Sequence, residues 1–220
     1  KLNEVADENG FIVAYPRGTK DKEGKRFFNM GYFFHLTETV DDVEFISELT
    51  LYLQKTYKVD TNRTFTAGFS NGGDMSYMLA CQRPDIFKGF VSVGGLMLED
   101  FKDDCPQAQP IPILEIRGES DEITLYEGDI DNETGWGRYP HIEATMDFWQ
   151  KRNGCTSVSY DTIRNPDDDR EIHITKFQNC LENKEVWLYK ITDYGHEWPQ
   201  GTDRFCFNAS EEIWNFLELY

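Results

Sequence analysis

The sequence is poor in basic residues relative to acidic ones, and this imbalance limits its possible partners. Its 220 residues include 22 Lys and Arg against 40 Asp and Glu, which gives a formal net charge of −18. Nucleic acids and anionic membranes attract positively charged surfaces, so we expect neither as a partner. The acidity favours solubility and suits a neutral or weakly charged substrate.

Two further absences concern membranes and metals. No apolar run approaches the roughly 20 residues needed to cross a bilayer, so no membrane association is expected. The sequence has no Cys-x-x-Cys pair and no His-Glu-x-x-His motif, so we expect no zinc site.

The chain also begins at Lys1, without an initiator Met or a signal-peptide pattern. We interpret it as a trimmed or partial chain.

Length and composition are those of one globular domain. Hydrophobic residues make up 39% of the chain and aromatic residues 15%, enough for 220 residues to bury a core of their own. No internal repeat and no linker divides the sequence, so residues 1–220 are predicted to form a single domain. The sequence leaves the oligomeric state open.

The cysteine content is small and odd in number: Cys81, Cys105, Cys155, Cys180 and Cys206. Proximity along the chain favours the pairs Cys81–Cys105 and Cys155–Cys180, with one free thiol remaining. Two disulfides would indicate an oxidising compartment. The alternative is five buried free thiols in a cytosolic protein, since cysteine is among the most buried residue types.

Apolar runs and amphipathic segments alternate along the chain. Strands are predicted at residues 11–15, 64–67, 87–93, 111–116, 157–163, 172–177 and 186–191. Helices are predicted at residues 2–8, 39–57, 74–82, 142–152 and 210–219, the second of them capped by Thr39. Residues 96–110 and 123–139 are predicted to be loops. This alternation indicates an α/β fold, with a mostly parallel sheet and helices on both faces.

A nucleophile elbow is predicted at residues 68–72, which read GFSNG between an apolar run and a helix. Ser70 would stand in a strained turn at the helix N-terminus, with its hydroxyl pointing outward. Gly68 and Gly72 would both be required, because a side chain at either position would crowd the turn. The backbone N–H of Asn71 would donate to an oxyanion. The alternative is a structural Gly-rich turn.

A serine nucleophile needs an imidazole base, and four histidines are available. After an elbow serine the usual chain order is acid and then histidine, each following a strand. His35 precedes the elbow, His141 opens a helix and His173 lies within a strand pattern. His196 alone follows a core strand in a loop near the C-terminus, so it is the predicted base.

The predicted acid is Asp121, which follows the strand at residues 111–116 and lies between Ser70 and His196 in the chain. Spacing alone leaves its neighbours Glu119 and Glu122 as alternatives. Most acidic residues in so acidic a chain are solvated surface charges, so spacing by itself does not decide between Asp121 and these neighbours.

Three segments together resemble the polyhydroxybutyrate depolymerase-like and feruloyl esterase-like (carbohydrate esterase family 1-like) branch of the α/β-hydrolases. They are GFSNGGDM at 68–75, GESD at 118–121 and GHEWP at 195–199; residues 9–16 and 40–46 also match the pattern. The resemblance implies an α/β-hydrolase fold and a secreted or periplasmic carboxylic ester hydrolase without a cofactor. It implies that Ser70 is the nucleophile, Asp121 the acid and His196 the base.

The chain departs from this family pattern at two places. Arg117 precedes Gly118 where the family commonly has His. The family also has earlier strands, one of which ends in a His-Gly segment that supplies a second oxyanion donor. That segment would lie upstream of Lys1, so we expect the natural protein to be longer and the N-terminal strands to be missing from this chain.

The resemblance predicts a serine esterase acting on feruloyl or acetyl esters of plant polysaccharide. Alternatives are a polyhydroxyalkanoate (polyhydroxybutyrate) depolymerase or short-chain esterase, a peptidase or thioesterase on the same fold, and a non-catalytic binding module. Aromatic side chains near the predicted site would stack on a phenolic acyl group, or would simply pack in the core: Phe69, Trp136, Tyr139 and Trp198.

Overall fold

The computed structural model describes residues 2–35, 37–103, 105, 109–165, 168–201 and 207–220. Its helices α1 to α6 are Leu2–Asn9, Asp42–Tyr57, Asn71–Gln82, Glu99–Asp103, Ile142–Arg152 and Ala209–Leu217. Its strands β1 to β8 are Thr19–Lys20, Arg26–Phe27, Thr66–Phe69, Phe90–Val93, Ile113–Gly118, Ser157–Asn165, Asp168–Gln178 and Val186–Ile191. Short 3₁₀ turns lie at Phe33–His35, Thr61–Arg63 and Leu181–Asn183. Among these helices, none combines the length and the apolarity that crossing a bilayer requires.

The central sheet has the strand order β3-β4-β5-β8-β7-β6. The first four strands are parallel, and β7 and β6 continue the sheet as an antiparallel hairpin. Strands β1 and β2 form a separate small pair. Because parallel strands all end at the same edge, the loops that follow β3, β4, β5 and β8 meet there, where ligands of open α/β sheets bind.

Successive side chains of a core strand point to opposite faces of the sheet, and both sets are buried because helices cover both faces. On one face Ile113 of β5 packs in a cluster with Leu79 of α3 and Trp149 of α5. On the other face its neighbour Leu114 packs with Phe216 of α6. The prediction of a mostly parallel sheet with helices on both faces is confirmed.

Residues 11–15 form no strand, so that prediction is wrong. Ile12 is 57% exposed and Tyr15 is 63% exposed, whereas a strand inside a parallel sheet is buried on both faces. Within the described residues no strand lies beside this run to share backbone hydrogen bonds with it. The segment instead packs through Phe11, whose ring stacks on Trp214 of α6 at 4.6 Å.

Several element boundaries also differ from the predictions. Helix α2 begins at Asp42 and is capped by Asp41, whose carboxylate accepts the backbone N–H of Glu44 at 2.8 Å. Thr39 therefore lies outside the helix, because a carboxylate closer to the first turn satisfies the free N–H groups. Strands β3 and β4 start two to three residues later than predicted. The predicted loop at residues 96–110 contains the short helix α4, and the hairpin strands are longer than predicted.

Both predicted disulfides are confirmed: Cys81 pairs with Cys105 and Cys155 pairs with Cys180. The first ties the last turn of α3 to the segment that follows α4. The second joins the end of α5 to the turn that precedes β8. Cys206, the predicted free thiol, lies outside the described residues.

Candidate active site

The elbow turn consists of a single residue, because β3 ends at Phe69 and α3 begins at Asn71. Ser70 has φ 53° and ψ −123°, a conformation that costs a residue with a side chain about 1–3 kcal/mol. Its N–H donates to the carbonyl of Val93 at 2.9 Å, and its carbonyl accepts the N–H of Gly73 at 2.7 Å. The N–H of Asn71, at the first helical position, has no acceptor one turn earlier. The turn therefore presents a hydroxyl beside a backbone donor.

Of the two glycines that flank this turn, only Gly68 is confined. A Cβ atom at Gly68 would lie 2.0 Å from the carbonyl oxygen of Gly72. A Cβ atom at Gly72 would meet nothing within 4 Å. The prediction that both positions must be glycine is wrong for Gly72, because the chain folds back only onto the strand side of the turn.

We expect Gly68→Ala to lower the free energy of unfolding by about 3 kcal/mol, because its methyl group would overlap backbone that cannot move. The matched change Gly72→Ala adds the same methyl group into open space near the start of α3. It should alter stability by no more than about 1 kcal/mol. Urea denaturation of both variants measures the difference, and equal midpoints would contradict this account.

An imidazole and a carboxylate meet at the same edge of the sheet. Nδ1 of His196 lies 2.7 Å from Oδ2 of Asp121, which is 4% exposed. The other carboxylate oxygen accepts the backbone N–H groups of Ile123 at 2.9 Å and Thr124 at 2.8 Å. Burial opposes ionisation, but hydrogen bonds from His196, Thr124 and Ile123 outweigh it and lower the pKa of Asp121. The carboxylate is therefore ionised at neutral pH and holds one nitrogen of the imidazole.

The imidazole of His196 lies against the elbow strand. Its ring centroid is 4.9 Å from that of Phe69, the residue before Ser70. A Cβ atom at Gly94, at the end of the neighbouring strand, would lie 3.5 Å from Cε1 of His196. The structure thus gathers Ser70, Asp121 and His196 at the carboxyl edge of β3, β4, β5 and β8, on the loops where the sequence predicted them.

The alternative acids take other positions. Glu119 forms an ion pair with Lys190 at 2.6 Å. Glu122 is exposed to solvent. Asp121 is the member of this trio that contacts His196, and it is the residue that the family resemblance implied as the acid.

The other histidines have different surroundings. His141 caps α5, accepting the N–H of Ala144. His173 lies on the hairpin strand β7, 3.3 Å from the hydroxyl of Thr162. His35 is buried beside the ring of Phe27. Of the four histidines, His196 is the one whose imidazole contacts the carboxylate of Asp121.

Aromatic side chains form two groups around the site. Phe69 meets the edge of Trp198 at 6.3 Å. Trp136 packs edge-to-face on Tyr32 at 5.2 Å and on Phe34 at 5.1 Å, and Phe34 is 52% exposed. Tyr139, which the sequence suggested as a stacking residue, is buried and accepts the N–H of Leu125 through its hydroxyl. Of the two roles expected for Tyr139, stacking on substrate and packing in the core, its burial supports packing.

Hydrogen bonds fasten the second aromatic group to the elbow helix. The Asn71 side chain accepts the N–H of Phe28 at 2.6 Å and donates to the hydroxyl of Tyr32 at 3.0 Å. Tyr32 in turn donates to Asp74, which also accepts the N–H of Leu96 at 2.6 Å. Burial raises the pKa of Asp74 to about 7, although the bonds from Tyr32 and Leu96 oppose it. The segment carrying Phe34 is thus anchored next to Ser70.

Sequence reasoning missed Thr124 and Tyr32 as residues of the site. Thr124 bonds to Asp121 through both its N–H and its hydroxyl, 2.9 Å from Oδ2. An Asp followed three residues later by Thr is a turn-forming pattern that could have marked the first of them. For Tyr32 no local signal exists, because its partners are some 40 residues further along the chain.

The groups at this edge are those that acyl transfer uses: a hydroxyl, an imidazole held by a carboxylate, and a free backbone N–H. In the part of the chain that the structure describes, no group of three or more His, Cys, Asp or Glu is arranged to hold a metal ion.

Comparison with known proteins gives a consistent result. Residues 3–126 match the prolyl oligopeptidase family. Feruloyl esterase B of Piromyces equi is 28% identical over 197 residues, which cover 88% of this chain and 35% of that protein. A bifunctional acetylxylan esterase/xylanase of Neocallimastix patriciarum is 27% identical over 98% of this chain and 27% of its own length. The putative esterase NocK of Nocardia uniformis subsp. tsuyamanensis is 34% identical over 91% of this chain and 60% of its own length. The chain thus spans less than two thirds of each of these relatives.

Solved structures support the fold. An acetyl xylan esterase from Aspergillus awamori superposes with a TM-score of 0.60 at 15% identity, covering 99% of this chain and 81% of that one. Esterase PE8 superposes with a TM-score of 0.56 at 13% identity, covering 98% of this chain and 84% of that one. At these identities the likeness establishes the fold.

Proposed function

Because the chain belongs to the prolyl oligopeptidase family of α/β-hydrolases, we propose that it is a serine carboxylic ester hydrolase with Ser70 as its nucleophile. The observation that carries this proposal is the 2.7 Å contact between His196 and the buried Asp121. The imidazole also lies against Phe69, the residue before the strained elbow serine. The esterase names of its relatives support an ester as the substrate.

The proposed reaction has two steps. Nδ1 of His196 faces Asp121, so Nε2 takes the proton of Ser70 as the hydroxyl oxygen attacks the ester carbonyl. The N–H of Asn71 stabilises the oxyanion, while the second donor remains a prediction from the family resemblance. The carbonyl carbon then releases the alcohol, which takes the proton from His196. Water, activated by the same imidazole, next attacks the acyl-enzyme and frees the acid.

The proposed substrates are feruloyl or acetyl esters of plant polysaccharide. Two relatives carry the names feruloyl esterase and acetylxylan esterase. Phe69 with Trp198, and Phe34 with Trp136, offer two apolar aromatic surfaces on which a phenolic or sugar ring can stack. The disulfides support secretion or a periplasmic location, where such esters occur.

A substrate panel tests this proposal. We expect methyl ferulate or acetylated xylan to give a higher kcat/KM than hydroxybutyrate oligomers, a thioester or a prolyl amide. Hydroxybutyrate oligomers as the best substrate would support the depolymerase alternative, and faster turnover of the amide would identify a peptidase. A fluorophosphonate probe that fails to label the protein would instead indicate a non-catalytic binding module.

We expect Trp136→Ala to raise KM for methyl ferulate by about two- to tenfold, because an aromatic stacking pair is worth about 0.5–1.5 kcal/mol. The acetyl group of 4-nitrophenyl acetate has no phenolic ring to stack on Trp136, so its kcat/KM should stay within about twofold. The control is Tyr160→Ala, which removes an exposed ring from β6 at the opposite edge of the sheet from β3. Equal KM values in wild type and Trp136→Ala would remove Trp136 from the substrate site.

A further inference from the structure

A buried cluster of charged side chains lies next to Asp121, the proposed acid. Arg117 is 2% exposed, and Glu115, two residues earlier on β5, is fully buried. Nε of Arg117 donates to Oε1 of Glu115 at 3.1 Å, and the hydroxyl of Tyr77 donates to Oε2 at 2.8 Å. An apolar pair of similar volume is often as stable as a buried ion pair, so stability alone does not account for such a cluster.

The other end of the Arg117 side chain reaches the loop that carries Asp121. Nη1 donates to the carbonyl oxygen and to the hydroxyl oxygen of Thr124, both at 2.8 Å, and lies 4.0 Å from Oδ2 of Asp121. Arg can only donate, so the hydroxyl of Thr124 accepts from it and turns its own hydrogen elsewhere. Its single hydrogen can point to Oδ2 of Asp121 or to the carbonyl oxygen of Gly94, each at 2.9 Å, and Nδ1 of His196 lies further away at 3.4 Å. The ionised carboxylate is the stronger acceptor.

The surroundings of Arg117 keep it charged. Glu115 faces it from its own strand, Tyr77 and Asp74 from α3, and Asp121 from the loop. Burial opposes the charge, but these partners outweigh burial and raise the pKa of Arg117. A permanent cation therefore stands 4.0 Å from Oδ2 of Asp121, the oxygen that also contacts His196.

We propose that Arg117 and Thr124 are positioning residues for the hydrolysis: they fix the orientation of the ionised Asp121, which in turn orients His196. The inference rests on the proposed function. Neither residue has to touch substrate. The bonds it depends on are the Arg117 fork to Thr124 and the Thr124 hydroxyl bond to Oδ2, the oxygen that also contacts His196.

This role predicts a loss of rate without a loss of binding. If the carboxylate is free to rotate, the imidazole points away from Ser70 for part of the time. Small misplacements of reacting groups cost up to about 10²-fold in rate. We therefore expect Thr124→Val and Arg117→Met to lower kcat for 4-nitrophenyl acetate by about 10- to 100-fold, with KM within about twofold.

Two matched variants retain part of what Thr124→Val and Arg117→Met remove. Thr124→Ser retains the hydroxyl, and Arg117→Lys retains the charge but has one ammonium group in place of the fork. We expect Thr124→Ser to recover most of kcat and Arg117→Lys to recover only part of it. Thr124→Val is nearly the same size as Thr, so it decides the question if Arg117→Met does not fold.

A measurement that needs no substrate separates this inference from the proposed function. The proton shared by His196 and Asp121 should give a far-downfield proton NMR resonance, which His196→Gln removes. We expect it to move upfield or vanish in Thr124→Val and to persist in Thr124→Ser. An unchanged resonance in folded Thr124→Val, or wild-type kcat in that variant, would overturn the inference whether or not Arg117→Met folds. Absence of any ester turnover by wild type would instead overturn the proposed function, whatever the resonance does.

Discussion

Replacing Ser70 with Ala is expected to lower kcat for ester hydrolysis by about four to six orders of magnitude. The hydroxyl is the proposed nucleophile, and without it only the backbone donor and substrate binding remain to accelerate hydrolysis by water. The fold should persist, because the Ser70 side chain makes no capping hydrogen bond to α3. Its backbone bonds to Val93 and Gly73 do not involve the side chain. Initial rates with 4-nitrophenyl acetate measure the effect.

The control for this variant is Ser159→Ala, which removes a hydroxyl from the hairpin strand β6. It should hydrolyse the ester at the wild-type rate and should react with a fluorophosphonate probe, whereas Ser70→Ala should not react. Circular dichroism and thermal unfolding establish that both variants are folded. Wild-type activity in folded Ser70→Ala would refute the proposed mechanism.

Asp121→Asn is expected to lower kcat by about 10⁴-fold. The amide oxygen can still accept the N–H groups of Ile123 and Thr124, so the loop should keep its shape. The amide nitrogen would face Nδ1 of His196 as a donor where an acceptor now lies, 2.7 Å away. This favours the tautomer with its hydrogen on Nε2, which cannot take the proton of Ser70.

The control for the acid is Glu122→Gln, which removes the same charge one residue away on an exposed side chain. Its rate should stay within about twofold of wild type. The rates of both variants are measured at several pH values. An effect of lost negative charge alone would lower the rates of Asp121→Asn and Glu122→Gln alike. A small effect of Asp121→Asn together with a large effect of Glu119→Gln would move the role of the acid to Glu119.

Much of the fold follows from local patterns in the sequence. Helix Ile142–Arg152 and strand Val186–Ile191 have the bounds predicted for them, because their apolar spacing and flanking residues are unambiguous. Residues 11–15 had an equally apolar pattern and form no strand. A strand is completed by neighbours elsewhere in the chain, and apolar composition does not reveal whether those neighbours are present.

The candidate site likewise contains residues that the sequence predicted and residues that it did not. The order of Ser70, Asp121 and His196 after strand ends is characteristic, and the family resemblance favoured Asp121 over Glu119 and Glu122. Of these three residues, the structure places Asp121 and His196 in contact. Thr124 was missed because its role depends on the direction of one hydroxyl. Tyr32 was missed because it joins segments distant in sequence, and Gly72 was misjudged because crowding in a turn depends on where the chain folds back.

The anchoring of Tyr32 on Asn71 and Asp74 has a consequence for altering the selectivity of the proposed esterase. Phe34 and Trp136 lie on segments that contribute none of the proposed reacting groups, yet the Tyr32 link holds them beside the elbow. A combinatorial library that varies Phe34 and Trp136 while keeping Tyr32 would therefore sample new substrate preferences on an unchanged reaction centre. In the same library with Tyr32 randomised, the proposed recognition surface would no longer be held at a fixed position relative to Ser70, the proposed nucleophile.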